Sequence, residues 1–146
     1  MSNLYEADYW AWTQRQAEAL RRRSGNELDW DLLAQELDAL GATEERELRS
    51  RYAILMAHLL KWAHQPDRRS RSWANTIADQ RDKIADHFDR NPGLKNLDAE
   101  IFAKAYRDAR RYASSDTDLD LSVFPADPPF TREQARDENW LPVAGP

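Results

Sequence analysis

Leu48, Tyr52, Leu55, Met56, Leu59 and Ala63 recur at steps of three and four residues. That spacing gathers side chains on one face of an α-helix. No other feature constrains the fold as much, because a stripe this long must be laid against other apolar surface. Pro66 sets its end, since the residue before a proline is pushed out of the helical region. Upstream, Gly41 reads as a helix stop and Thr43 as a cap. The stripe is therefore predicted to be a helix of its own, with Glu44, Glu45 and Glu47 loading the first turn as the helix dipole prefers.

The same periodicity covers most of the chain. Asn3 with Glu6 resembles a capping box. It opens a first helix of about twenty residues, with Tyr5, Tyr9, Trp12, Gln16 and Leu20 aligned, ending in Arg21-Arg22-Arg23. Asp29 reads as the cap of a short second helix carrying Trp30, Leu33, Leu37 and Leu40. A fourth helix, from Ser70 or Ser72 to Asn91-Pro92-Gly93, presents Trp73, Ile77, Ile84 and Phe88. A fifth, from Leu94 to Ser114, aligns Leu97, Ile101, Ala105 and Tyr112, with Phe102, Tyr106 and Ala109 as a second strip. The proline-rich segment 115–146 reads as an extended arm with one short helix opened by Thr131 and Gln134. No useful β alternation appears. The expectation is an all-α fold: an antiparallel bundle of about five helices in a single domain, 1–146, with the arm packed on it.

With 146 residues, the chain can bury roughly 70% of its unfolded surface, so folding needs no metal or disulfide. It has no cysteine, which excludes a disulfide framework and thiolate metal sites and fits a reducing cytoplasm. The N-terminus lacks the pattern of a signal peptide. The longest apolar run, Ala53 to Leu60, is broken by His58 and far too short for a bilayer. A net charge of −5 disfavours a dedicated nucleic-acid binder. No membrane role is expected.

Three constellations could carry chemistry. At the corner after Pro66, Arg68, Arg69 and Arg71 stand with Ser70, Ser72 and Trp73, and Lys61 and Arg81 flank them. These residues could grip a phosphate at a helix N-terminus, or they could offset the dipole of the preceding helix. The corner reading is preferred. Secondly, Glu45, Gln80 and Asp108 fall within apolar stripes. They would form a polar pocket able to do acid–base work, or else a hydrogen-bonded network that fixes helix register or stripes whose ends are simply exposed; the pocket is not preferred. Thirdly, His58, His64 and His87 show no His-x-x-x-His or Glu-x-x-His spacing, so no metal and no cofactor is expected. Four scattered glycines leave no phosphate loop. The turn at Gly41 fits a helix-turn-helix poorly, because Glu47 falls where that motif buries an apolar residue. Six tryptophans in a small chain suggest a heavily aromatic core or a contact surface. Trp10 and Ile54 point away from their stripes and, with the second strip on the fifth helix, hint at surplus apolar surface for contact with another chain.

The segments "LYEADYWAWTQRQAEALR", "LAQELDALGATEERELRSR", "HLLKWAHQPDRRSRSWANTIADQR", "AYRDARRYA" and "FPADPPFT" together resemble the bacterial family catalogued as domain of unknown function 29, in order from Leu4 to Pro142. The resemblance implies a compact all-helical protein of bacterial origin. It supplies no activity and no catalytic residues. The preferred reading is a non-enzymatic cytoplasmic module for protein contacts or self-association, a homo-oligomer, through Trp10, Arg68, Arg69, Arg71 and Trp73. The alternative is polyanion or nucleic-acid binding through Lys61, Arg68, Arg69, Arg71 and Arg81. The third is an enzyme using Glu45, Gln80 and Asp108.

Overall fold

The computed structural model describes residues 4–143. Among them there is no strand and the fold is all-α. Six α-helices run α1 Leu4–Ala7, α2 Tyr9–Arg21, α3 Trp30–His64, α4 Arg71–Arg90, α5 Asp98–Thr117 and α6 Arg132–Arg136. No described helix is long and apolar enough to cross a membrane. The described residues fall into two compact units, one up to Thr43 and one from Glu44 onward.

In the first unit, the expected single first helix is broken at Asp8. The Asp8 carboxylate accepts from the Ala11 amide at 2.9 Å and caps α2. The predicted cap at Asn3 lies outside the described residues. The helix α2 ends in a left-handed residue, Arg23, with φ of 57°. The Ser24 and Arg23 amides return to the carbonyls of Ala19 and Leu20, a Schellman closure made without glycine. The chain then turns back. Tyr9 meets Glu36 while Trp12 meets Asp29, so α2 and the start of α3 run antiparallel. Asp29 directly precedes α3, and its carboxylate accepts a hydrogen bond from the Trp12 indole N–H at 2.6 Å.

The predicted stop at Gly41 is wrong: α3 runs through it without interruption. Glycine ends a helix where the chain must enter the left-handed region, and no glycine among the described residues has a positive φ. Thr43, read as a cap, instead donates its hydroxyl back to the Ala39 carbonyl at 3.0 Å, a bond compatible with a helix interior. The second and third expected helices are one.

The second unit contains the core. Leu48, Tyr52, Leu55, Met56 and Leu59 are fully enclosed and Ala63 nearly so, and the helix ends at His64, just before the proline. Ser70 caps α4 by accepting from the Trp73 amide at 3.2 Å. Lys61 lies against Trp73 and His87 against Glu44, so α4 runs back along α3. A 3-10 turn occupies Pro92–Leu97, which delays α5 to Asp98 rather than Leu94. Tyr112, expected in the inward stripe, is exposed. The strip of Phe102, Tyr106 and Ala109 is not surplus surface: all three are buried in the core. In the arm, Phe124, Phe130 and Ala135 join the same cluster, and Thr131 and Gln134 close the expected capping box.

Candidate functional site

The basic corner divides into residues in solvent and residues spent on structure. Arg68 and Arg71 are exposed. Arg69 stacks on Trp62, 5.0 Å from the ring centre, and donates to the Trp62 carbonyl at 2.8 Å. Those contacts place it at the carbonyl end of α3, where a cation offsets the dipole. Lys61 is buried, pairs with Asp116 at 3.2 Å and lies over the half-buried Trp73. Arg81 is buried too, and donates to the carbonyls of Ala135 and Trp140, each at 2.8 Å. It fastens the arm to α4, and burial lowers its pKa.

Among the described residues, no hydrogen bond or ion pair links Glu45, Gln80 and Asp108 to one another. Asp108 receives Arg49 Nε at 2.7 Å and Arg111 Nη2 at 2.7 Å. The Arg49 hydrogen bond is the main cause that holds its carboxyl below the usual range. Gln80 is buried with its Oε1 unbonded, and Glu45 is half-buried. The principal buried carboxylate belongs to Asp98, which the stripe analysis overlooked because it opens a helix. It accepts from Tyr52 Oη at 2.6 Å and Arg132 Nη1 at 2.9 Å. Burial and this bond push the Tyr52 phenol far above its ordinary range.

Two arrangements are not absorbed by structure. The first is the surface of the α2–α3 hairpin. Trp10, Trp30, Leu37 and Leu40 are each at least 65% exposed, and Tyr9 and Leu20 about half exposed. Ala17 and Leu20 on α2 face Leu33, Leu37 and Leu40 on α3 across a shallow groove of about 270 Å³. Its one carboxylate among the described residues, Glu36, accepts from both Tyr5 and Tyr9 hydroxyls. Those bonds lower its pKa. Trp10 was singled out in the sequence; the leucines were not, having been assigned to a buried stripe.

The second is a meeting of Glu44, Glu47 and His87, whose donor atoms lie within 4.8 Å of one another. The two acids had been explained as dipole partners at a helix start. With α3 unbroken there is no start at that point, and they sit in mid-helix facing a histidine on α4. His58 and His64 take no part: His58 Nδ1 lies 2.9 Å from the Ile54 carbonyl, and His64 packs edge-on to Phe124. Burial lowers the pKa of both.

No curated protein and no solved structure matches the chain. A family model does, over residues 4–141, nearly its full length. The segments that carried the resemblance include the capped α4, the arm with its capping box and the α2 aromatic run, each now seen to hold the fold together. The chain belongs to the family described as Domain of unknown function DUF29.

Proposed function

We propose that this chain is a non-enzymatic protein-interaction module that self-associates through the open face of its α2–α3 hairpin. The observation that carries the reading is the apolar surface of that unit. Its described residues bury only Trp12, Gln16 and Ala19, while six large apolar side chains stand in solvent. Ala17 and Leu20, and Leu33, Leu37 and Leu40, repeat at helical spacing on the two sides of the groove. A helix with such a stripe is stable when the stripe is covered. Two hairpins placed face to face would supply the missing layer, as four antiparallel helices about one seam. The tyrosine hydroxyls already engage Glu36, so closure would bring no unpaired carboxylate into the seam.

The test is the oligomeric state. Sedimentation equilibrium should give a dimer at micromolar concentration. The double variant Leu37→Glu/Leu40→Glu should give a monomer with unchanged helical circular dichroism. A wild-type chain that stays monomeric at high micromolar concentration would overturn self-association, and a dimer indifferent to the two glutamates would place the contact elsewhere.

A further inference from the structure

We infer that Glu44, Glu47 and His87 form a site for a divalent transition-metal ion of borderline character, with Zn²⁺ the representative case. His87 on α4 is 1% exposed. Its Nε2 is 2.9 Å from the Glu44 carbonyl oxygen. A carbonyl only accepts, so Nε2 carries the proton and donates. Metal-bound imidazoles use a bond of this kind, from the nitrogen that faces away from the ion, to fix tautomer and ring orientation.

The other nitrogen, Nδ1, is then an acceptor or carries a second proton. It lies 3.1 Å from Glu47 Oε2, yet it has no hydrogen-bond partner among the described residues. The distance is short enough for a hydrogen bond, but the direction is wrong for one. A buried ring nitrogen left unbonded beside a carboxylate is costly. A cation held by both groups removes that cost.

The surroundings fit such an ion. Glu44 and Glu47 stand three apart on α3, on one helix face, and their side chains are 39% and 37% exposed. Entry from solvent is therefore open. Like charges at this spacing are mildly unfavourable in a bare helix, and an ion offsets that repulsion. Both acids have supporting donors: Asn91 Nδ2 reaches Glu44 Oε2 at 3.4 Å, and Arg51 Nη2 reaches Glu47 Oε1 at 3.5 Å. Bonds of about 2.1 Å require donor atoms roughly 3.0–3.4 Å apart. The Nδ1–Oε2 separation already meets that. Glu44 Oε2 lies 3.5 Å from Nε2, the nitrogen that carries the proton. The half-exposed Glu44 side chain must therefore turn toward Nδ1 to complete a site whose three residues offer donor atoms within 4.8 Å of one another.

One imidazole and two carboxylates suit zinc, cobalt, nickel or manganese better than calcium or magnesium, which favour all-oxygen shells. Three protein donors leave a position for water, the pattern of an open rather than a sealed zinc site. The site lies wholly in the second unit and is independent of the proposed self-association.

Titration calorimetry with ZnCl₂, and thermal melts with Zn²⁺, Co²⁺ and Mg²⁺, would test this on the full chain. One Zn²⁺ per chain should bind and raise the melting temperature, Co²⁺ should do the same, and Mg²⁺ should not. Glu44→Gln and Glu47→Gln, both at half-exposed positions that leave His87 and the fold in place, should each weaken Zn²⁺ by about tenfold or more. A ¹⁵N spectrum of the imidazoles should show His87 Nδ1, not Nε2, shifting on metal addition. No binding at millimolar metal, or undiminished binding by the double glutamine variant, would overturn the site.

Discussion

Up to Thr43 the chain is held by polar and aromatic sutures: Tyr5 and Tyr9 on Glu36, the Trp12 indole on Asp29, and Gln16 bonded to the Asp29 amide at 2.8 Å. Tyr5, Tyr9 and Trp12 also touch one another edge-on or stacked. From Glu44 onward the reverse holds. Every member of the continuous apolar core cluster lies there, and most of the buried polar groups are consumed in ties between elements. The first unit thus has few enclosed side chains and much exposed apolar surface, whereas the second has a closed core.

The widest gap between the two units should appear in paired leucine truncations. Leu59 is fully enclosed, and Leu59→Ala should cost about 3 kcal/mol from lost transfer energy and the cavity left behind. Leu37 is 68% exposed, and Leu37→Ala should change monomer stability by less than about 0.5 kcal/mol. Urea unfolding at low protein concentration measures both. Equal losses would abolish the contrast between an open and a closed unit.

That contrast was partly legible in the sequence. The stripe from Leu48 to Ala63, the Ser70 cap and the Thr131–Gln134 box all reside in local spacing, and local spacing is what a helix obeys. Gly41 misled because a glycine signals a stop only if the chain needs a left-handed turn, and tertiary context decides that. Arg81 was grouped with the basic corner although it lies four residues after Ile77 and three before Ile84, on the buried stripe. Hydrophobic arithmetic ignores an arginine that finds three carbonyls in an arm distant in sequence. Glu44, Glu47 and His87 meet only through the antiparallel register of α3 on α4. Spacing within one helix carries no information about that register.

A smaller effect compares the carboxylates of the two units. Asp108 is paired with two arginines, and its carboxyl is held below the ordinary range. Because the folded value is depressed, its stabilisation is present above the unfolded value near pH 3.9 and is lost as pH falls through the folded one. Asp108→Asn should therefore cost about 1–2 kcal/mol at neutral pH, a figure discounted because both arginines are substantially exposed. The difference from wild type should shrink to nothing in strong acid. Glu36→Gln should cost less, since an amide oxygen still accepts from a tyrosine. Stability followed from pH 7 to pH 2 for both variants gives the comparison, and an Asp108→Asn penalty that persists in acid would show that packing, not charge, is at stake.

The smallest effect concerns Gly41, near the end of the first unit. A β-carbon built there meets nothing within 4 Å, and the residue is in mid-helix. Gly41→Ala should therefore stabilise by about 0.5–1 kcal/mol, largely by restricting the unfolded chain. If Gly41 instead served as a stop between two helices, alanine would be neutral or harmful, because the chain would resist leaving the helix there. Amide exchange separates the cases and the units together. Protection should rise for amides around Leu37 to Glu45, while those around Leu55 and Leu59, governed by the closed core, should keep their rates. A rise of equal size at both places would mean that the units open as one, and that the surplus apolar surface belongs to the whole chain rather than to its first forty residues.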